Sequence, residues 1–146
     1  MEIRKIRKTD LPSLAAINSS LYRHTTKGQS LLALKNSFKN RIEGACLVAQ
    51  DGKELAGAIF AEKKITFTPN SGYIYSIFVS KKWQGRGLGK LLLKQCLEAA
   101  KKKGITNISI LFDEKNNVAA RLYKNAGFKP FRLMYLKKFN KPKALS

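Results

Sequence analysis

A glycine-rich segment between a strand-like run and a helix-like run constrains this chain most. Residues 84–90 are Gln-Gly-Arg-Gly-Leu-Gly-Lys, and they join the run Tyr73 to Val79 to the run Leu88 to Lys103. The first N–H groups of a helix have no intrahelical acceptor, the helix dipole adds partial positive charge, and glycine allows close approach. The segment therefore predicts either a phosphate-binding turn or simply a tight strand-to-helix connection.

Two common phosphate-binding motifs do not fit this segment. The dinucleotide fingerprint requires a third glycine at the sixth position, but that position counted from Gly85 is Lys90, and no acidic residue follows at the usual distance. The nucleoside-triphosphate loop requires Ser or Thr after Gly-Lys, and Leu91 stands there instead.

Alternating strand and helix patterns along the chain predict an α/β domain. The predicted strands are Met1 to Arg7, Ala45 to Gln50, Leu55 to Ile65, Tyr73 to Val79, Ile105 to Phe112 and Phe131 to Phe139. The predicted helices are Leu11 to Tyr22, Ser30 to Ile42, Leu88 to Lys103 and Asn117 to Asn125. The 146 residues fit one domain, which we place at residues 1–139, followed by a basic tail at residues 140–146.

The composition predicts a cytoplasmic protein without a metal site. No apolar run is long enough to span a membrane, and the charged N-terminus lacks the apolar centre of a signal peptide. Cys46 and Cys96 lie in apolar patterns and are interpreted as small buried hydrophobic residues, not as a disulfide or metal ligands.

Two segments together resemble the GNAT N-acetyltransferase superfamily. Gln84, Gly87 and Gly89 match its Q/R-x-x-G-x-G/A signature, and residues 116–128 match its N-x-x-A-x-x-L-Y-x-x-x-G-F segment. The segments stand in the family's order, separated by one strand. The resemblance implies a single-domain fold with a mixed, mostly antiparallel sheet of six or seven strands and about four helices. It also implies acetyl-CoA as co-substrate.

The resemblance assigns the acetyl-CoA contacts and a general acid. The strand before the turn would bind pantetheine and the acetyl oxygen through its backbone, and the turn would bind the pyrophosphate. The implied contacts are Ile77, Phe78, Val79, Gln84, Gly85, Arg86, Gly87, Leu88, Gly89, Lys90 and Asn116. Tyr123 would protonate the leaving thiolate, since a phenol keeps its proton at neutral pH. A buried structural tyrosine, and a helix-capping role for Asn116, are the alternatives.

The sequence does not identify a general base. Relatives often carry a carboxylate where this chain has Tyr75-Ser76, or a glutamate where it has Leu111. Glu62 and Asp113 are the two candidate substitutes, although Asp113 also suits a turn cap and Glu62 a surface position. A chain of water molecules is the third route for the proton of the amine.

A net charge of +20 shapes the expected partners. A field of this size attracts anions, so an acidic or ribosome-associated acceptor, or nucleic acid, fits better than a polyamine or an aminoglycoside. Solvated lysine-rich faces would give the same count, and no nucleic-acid motif occurs.

The sequence therefore predicts an acetyl-CoA-dependent N-acetyltransferase. It would transfer the acetyl group to a primary amine by direct attack in a ternary complex. A non-catalytic acyl-CoA- or RNA-binding module is the alternative, because the carboxylate is missing and the charge is high. An enzyme that modifies protein lysines or N-termini is a third reading. The acceptor and the oligomeric state are left open.

Overall fold

The computed structural model describes residues 1–22, 24–66 and 68–140. Within these residues one five-stranded sheet has the order β1-β2-β3-β4-β5. The strands are β1 (Glu2–Lys5), β2 (Leu47–Asp51), β3 (Glu54–Lys63), β4 (Ser71–Val79) and β5 (Asn107–Ile110). The helices are α1 (Leu11–Leu21), α2 (Lys27–Lys39), α3 (Leu88–Lys102) and α4 (Asn117–Asn125). Neighbouring strands are antiparallel except β4 and β5, which are parallel.

The sheet separates two apolar cores. One core lies against α1 and α2 and includes Leu14, Leu34 and Phe60, all fully buried. The other lies against α3 and α4, where Leu88, Leu92 and Cys96 recur at intervals of four along α3. Because strand side chains alternate between the two faces, β2 and β3 are buried on both sides, and residues 56–61 form an almost wholly apolar run.

The prediction of six or seven strands was wrong for the described residues, which contain five. The predicted strand Phe131 to Phe139 is not formed: residues 131–139 carry no strand pairing, and their large apolar side chains are exposed. The composition of the segment is typical of a strand, but a strand forms only where its backbone groups pair with a neighbouring strand, and residues 131–139 are not among the paired strands of the sheet. Of the predicted tail at residues 140–146, only Asn140 lies within the described residues.

The second helix begins earlier than predicted, at Lys27 instead of Ser30. Thr26 accepts a hydrogen bond from the Gln29 N–H at 3.1 Å, and the Gln29 side chain accepts one from the Thr26 N–H at 2.9 Å. This reciprocal capping box makes Thr26 the N-cap, so the helix begins at Lys27. No helix in the described part of the chain is long and apolar enough to cross a membrane.

Candidate active site

The sheet opens between β4 and β5. The two strands pair only from Ser71↔Asn107 to Ile74↔Ile110. On the other side of β4, Phe60 pairs with Ser76 and Ala61 with Ile74, so Tyr75 is an unpaired extra residue in the strand. Such a bulge bends a strand and interrupts its ladder. From Tyr75 onwards, β4 therefore has β3 on one side and a gap on the other.

Backbone polar groups of β4 face this gap. The Ser80 N–H donates to the Ala56 carbonyl at 2.8 Å, so these two opposite residues are a hydrogen-bonded pair. Along an antiparallel ladder such as that of β3 and β4, hydrogen-bonded and non-hydrogen-bonded pairs alternate. By that alternation Phe78 exchanges its hydrogen bonds with β3, whereas the N–H and C=O groups of Ile77 and Val79 point away from β3. Of the three predicted backbone contacts, two thus line the gap and Phe78 does not.

The glycine turn presents a run of backbone donors at the end of the same gap. Gly85 and Gly87 both have φ of +77°, in the left-handed region that glycine tolerates, and Gly87 is the N-cap of α3. The first helical hydrogen bond runs from the Leu91 N–H to the Gly87 carbonyl at 3.1 Å. Among the described residues, none accepts a hydrogen bond from the N–H groups of residues 85–90. Six donors are therefore available to an anion.

The space outside the turn is open. A Cβ added at Gly85, Gly87 or Gly89 would meet no atom within 4 Å. Leu88 is buried in the core beneath the turn, so only its backbone faces outward, while Lys90 is exposed. The surface above the turn can therefore accommodate a bulky phosphate group.

Two side chains of the turn have roles that the sequence did not predict. The Gln84 amide donates to the Val79 carbonyl at 2.9 Å and so holds the turn against the end of β4. The Arg86 guanidinium lies 4.9 Å from the ring centre of Trp83, which is a cation–π contact. Trp83 is the only tryptophan of the chain and directly precedes the glycine turn, and this position was the sequence signal for the contact.

Tyr123 is almost completely buried, with 5% of its surface exposed. Its ring lies 5.1 Å from that of Phe112, which follows β5, and 5.8 Å from that of Phe128. Burial, with a smaller effect from Tyr22, raises the pKa of Tyr123 to about 12. Within the part of the chain that is described, the Tyr123 hydroxyl forms no hydrogen bond. The phenol therefore keeps its proton at neutral pH.

Asn116 caps α4. Its side-chain oxygen accepts a hydrogen bond from the Ala119 N–H at 3.1 Å. Asn116 therefore has the helix-capping role that the sequence offered as an alternative. The two N–H donors of its side-chain amide have no partner among the described residues. Capping and ligand binding remain compatible at this residue.

The two candidate bases have different environments. Asp113 is exposed, and its carboxylate accepts a hydrogen bond from the Lys115 N–H at 2.9 Å, the turn-capping alternative. Glu62 is half-buried opposite Tyr73 in the β3–β4 register and has no ion pair within the described residues. Burial, assisted by Glu62, raises the pKa of Tyr73. Of the two carboxylates, only that of Asp113 accepts a hydrogen bond from another described residue.

Comparisons with known proteins identify the family of the chain. The model of the acetyltransferase (GNAT) family matches residues 6–128. A mycothiol acetyltransferase from Renibacterium salmoninarum is 29% identical over an alignment 122 residues long, which covers 77% of this chain and 36% of that protein. The chain thus spans about a third of the length of this curated relative.

Solved structures show the same fold. A crystal structure of a Pyrococcus horikoshii protein is 28% identical, with a TM-score of 0.76 and 92% of both chains covered. AAC(6')-Iy, solved in complex with the bisubstrate analogue CoA-S-monomethyl-acetylneamine, has a TM-score of 0.75 at 17% identity, covering 95% of this chain and 98% of that one. At this identity, the similarity to AAC(6')-Iy concerns the fold alone. With the family model matching most of its length, the chain belongs to the acetyltransferase (GNAT) family.

Proposed function

We propose that this protein is an acetyl-CoA-dependent N-acetyltransferase that acts on a primary amine in a ternary complex. The observation that carries the proposal is the gap beside β4. Outward-facing N–H and C=O groups of Ile77 and Val79 lead to the six free donors of residues 85–90. A slot with a polar backbone wall and an anion-binding end suits pantetheine and pyrophosphate, respectively.

The glycine turn would hold the pyrophosphate through backbone N–H groups. Charge-assisted hydrogen bonds of this kind are about twice as strong as neutral ones. Arg86 and Lys90 add positive charge at the rim, and the Asn116 amide is a further candidate donor to the pantetheine arm. Apart from Asn116, and from Phe78, whose backbone is engaged with β3, the proposed contacts follow one another from the end of β4 through the turn into α3.

The backbone of β4 would also polarise the acetyl carbonyl. Acetyl-CoA supplies the acetyl group as a thioester. An N–H group aimed at an oxygen on which negative charge develops contributes about 2.7–4 kcal/mol in other enzymes. We assign this role to the N–H groups of Ile77 and Val79, which point away from β3 into the gap.

Tyr123 would give its proton to the leaving sulfur. The nitrogen of the amine bonds to the acetyl carbon, the carbon–sulfur bond breaks, and the phenol proton passes to sulfur. The proton released by the amine goes to Glu62 or to water, and Tyr123 regains a proton from solvent. Burial raises the pKa of Tyr123 to about 12, so the phenol is a weak acid that would release its proton only as negative charge develops on the sulfur.

Release of free thiol from acetyl-CoA, measured with a panel of amines and peptide N-termini, tests the proposal. We expect thiol release that depends on one class of acceptor and is matched by an acetylated product in mass spectrometry. Glu62→Gln and Asp113→Asn, compared in the same assay, show whether either carboxylate takes the proton. Acetyl-CoA binding without acceptor-dependent release across the panel would favour the non-catalytic alternative.

A further inference from the structure

Glu62 is a shielded carboxylate without a cationic partner. Of the nine Asp and Glu residues of the chain, only Asp10 and Glu62 are not exposed. The Asp10 carboxylate pairs with the Arg4 guanidinium at 2.8 Å, whereas Glu62 has no ion pair within residues 1–22, 24–66 and 68–140. Shielded charges in proteins are normally paired. In a chain with 29 Lys and Arg residues, this exception indicates a site for a cation from outside.

The basic residue directly beside Glu62 is held elsewhere. Arg41 lies opposite Glu62 in an antiparallel bridge. Its guanidinium lies 4.1 Å from the ring centre of Phe38 and donates to the Phe38 carbonyl at 3.0 Å. It also pairs with the Glu43 carboxylate at 3.3 Å. Because these contacts hold the guanidinium, Arg41 does not neutralise Glu62.

The ring of Tyr73 lies beside the carboxylate and already contacts a primary ammonium. Glu62 and Tyr73 are directly opposite each other in the β3–β4 register. Their neighbours Ala61 and Ile74 face the core beneath α3. Since strand side chains alternate, the pair itself lies on the face toward α1 and α2. The Lys64 ammonium lies 4.4 Å from the ring centre of Tyr73, so the face of this ring is open to an ammonium group.

The pair of Glu62 and Tyr73 stands at a defined distance from the proposed reaction centre. Glu62 is three residues along β3 from Ile59, which pairs with Ile77. At about 3.4 Å per residue, the two levels of the sheet are about 10 Å apart. The Ile77 N–H is one of the groups that we assign to the acetyl carbonyl, so the reacting amine belongs near that level. Glu62 is therefore placed to hold a second group of the same acceptor.

We propose, on the basis of the acetyl transfer proposed above, that the acceptor is a diamine whose second ammonium group, about 10 Å from the reacting amine, lies between the Glu62 carboxylate and the Tyr73 ring. The carboxylate supplies charge-assisted hydrogen bonds and the ring supplies a cation–π contact. The Lys64 ammonium occupies the ring until the acceptor displaces it. The second ammonium takes no part in the bond changes, and the proton of the reacting amine passes to water.

This acceptor differs from the one that the net charge of +20 predicts. Charges farther away than about 8 Å are largely screened at physiological salt, whereas a carboxylate in direct contact with a cation is screened much less. The local pair can therefore select a dication although the chain as a whole repels one. Recognition then depends on the spacing of the two nitrogens and not on charge alone.

Three amines test the proposal in the thiol-release assay: 1,7-diaminoheptane, 1,4-diaminobutane and heptylamine. At about 1.25 Å per bond of an extended chain, the nitrogens of the first are about 10 Å apart and those of the second about 6 Å. We expect kcat/KM for 1,7-diaminoheptane to exceed that for either other amine at least ~10-fold, because only this diamine reaches both positions. Equal values for 1,7-diaminoheptane and heptylamine would overturn the proposal.

Two variants should shift this preference in opposite directions. Glu62→Gln should raise KM for 1,7-diaminoheptane ~10-fold and bring its kcat/KM close to that of heptylamine. Lys64→Gln should lower the same KM by about 2–5-fold, because the ring no longer holds an internal cation. Glu98→Gln removes an exposed carboxylate on α3 as the matched control and should leave the preference unchanged. If Glu62→Gln lowered kcat equally for both amines with their ratio unchanged, Glu62 would be the base and the proposal would be wrong.

Calorimetric titration separates this proposal from acetyl transfer itself. In the presence of CoA, the full chain should bind 1,7-diaminoheptane ~10-fold more tightly than heptylamine, and Glu62→Gln should remove the difference. Such binding without thiol release from acetyl-CoA would refute acetyl transfer to this diamine and leave the cation site in place. Thiol release with other amines, without tighter binding of the diamine, would overturn the cation site and leave acetyl transfer intact.

Discussion

Gly89 offers a variant in which stability and ligand affinity should change in opposite directions. It is the second residue of α3, its φ is outside the left-handed region, and an added Cβ would meet no atom within 4 Å. Gly89→Glu therefore introduces neither strain nor a clash. Removing a helical glycine recovers up to about 1 kcal/mol, and a carboxylate in the first turn adds about 0.3–1 kcal/mol. We expect the free energy of unfolding to rise by about 1 kcal/mol.

The same carboxylate should repel the pyrophosphate of acetyl-CoA. At a separation of about 5 Å and an effective dielectric constant of about 20, two like charges repel by ~3 kcal/mol. This corresponds to a loss of ~150-fold in affinity. Calorimetric titration with acetyl-CoA measures the loss, and thermal unfolding of the same sample measures the gain in stability.

Two controls separate charge, size and helix position. Gly89→Gln has the same size without the charge and should lose far less affinity. Gly28→Glu places the same side chain at the second residue of α2, where the nearest atom to an added Cβ is Thr26 Oγ1 at 4.0 Å. It should gain similar stability and bind acetyl-CoA normally. Unchanged affinity in a stabilised Gly89→Glu variant would refute phosphate binding at this turn.

Four further expectations concern catalysis, reactivity, folding and charge. Tyr123→Phe should lower kcat by ~10²-fold or more with little change in acetyl-CoA binding, whereas Tyr135→Phe should leave kcat unchanged; steady-state kinetics would contradict the acid role if both variants were equally active. Burial raises the pKa of the Cys46 thiol to about 11 and that of Cys96 to about 12, so an aromatic disulfide reagent should detect neither thiol at pH 8 until the protein is unfolded. Asp10→Asn removes the charge from a part-buried bidentate pair with the Arg4 guanidinium and should cost about 1–3 kcal/mol in urea unfolding. The hydrogen bonds of that pair lower the pKa of Asp10, so its contribution to stability is present near neutral pH and is lost as the pH falls through the lowered value; the variant should show a flatter acid limb. Nucleic acid should bind weakly and dissociate at about 0.2 M salt, while acetyl-CoA binding persists; the reverse result in filter binding would support the nucleic-acid reading.

The sequence was sufficient to predict the elements whose determinants are local. The hairpin between β2 and β3 follows from Asp51-Gly52, and α4 spans the predicted residues 117–125, with Asn116 as its cap. The family was predicted from two motifs that lie on either side of one strand. In each case a few neighbouring residues determine the backbone conformation.

Features that depend on distant residues could not be predicted. The fate of residues 131–139 depends on whether an edge of the sheet accepts them, which their composition does not reveal. The tilted ring contact between Phe112 and Tyr123 joins a residue after β5 to a residue of α4, eleven positions later in the chain. The roles of Tyr123 and of the turn residues in catalysis and binding stay predictions, because no ligand contact tests them.

The extra residue in β4, Tyr75, determines what a one-residue deletion at this point would do to the sheet. Ile74 and Ile77 are three residues apart yet both contact the core beneath α3, which a regular strand with alternating faces does not permit. Without Tyr75 the two isoleucines would be two residues apart and would still share that face. A chain one codon shorter at this point could therefore fold with an uninterrupted β4, extend its pairing along β5 and close the gap. Loss of a single residue would then replace the gap beside β4 with continuous pairing and remove the place that we propose for acetyl-CoA.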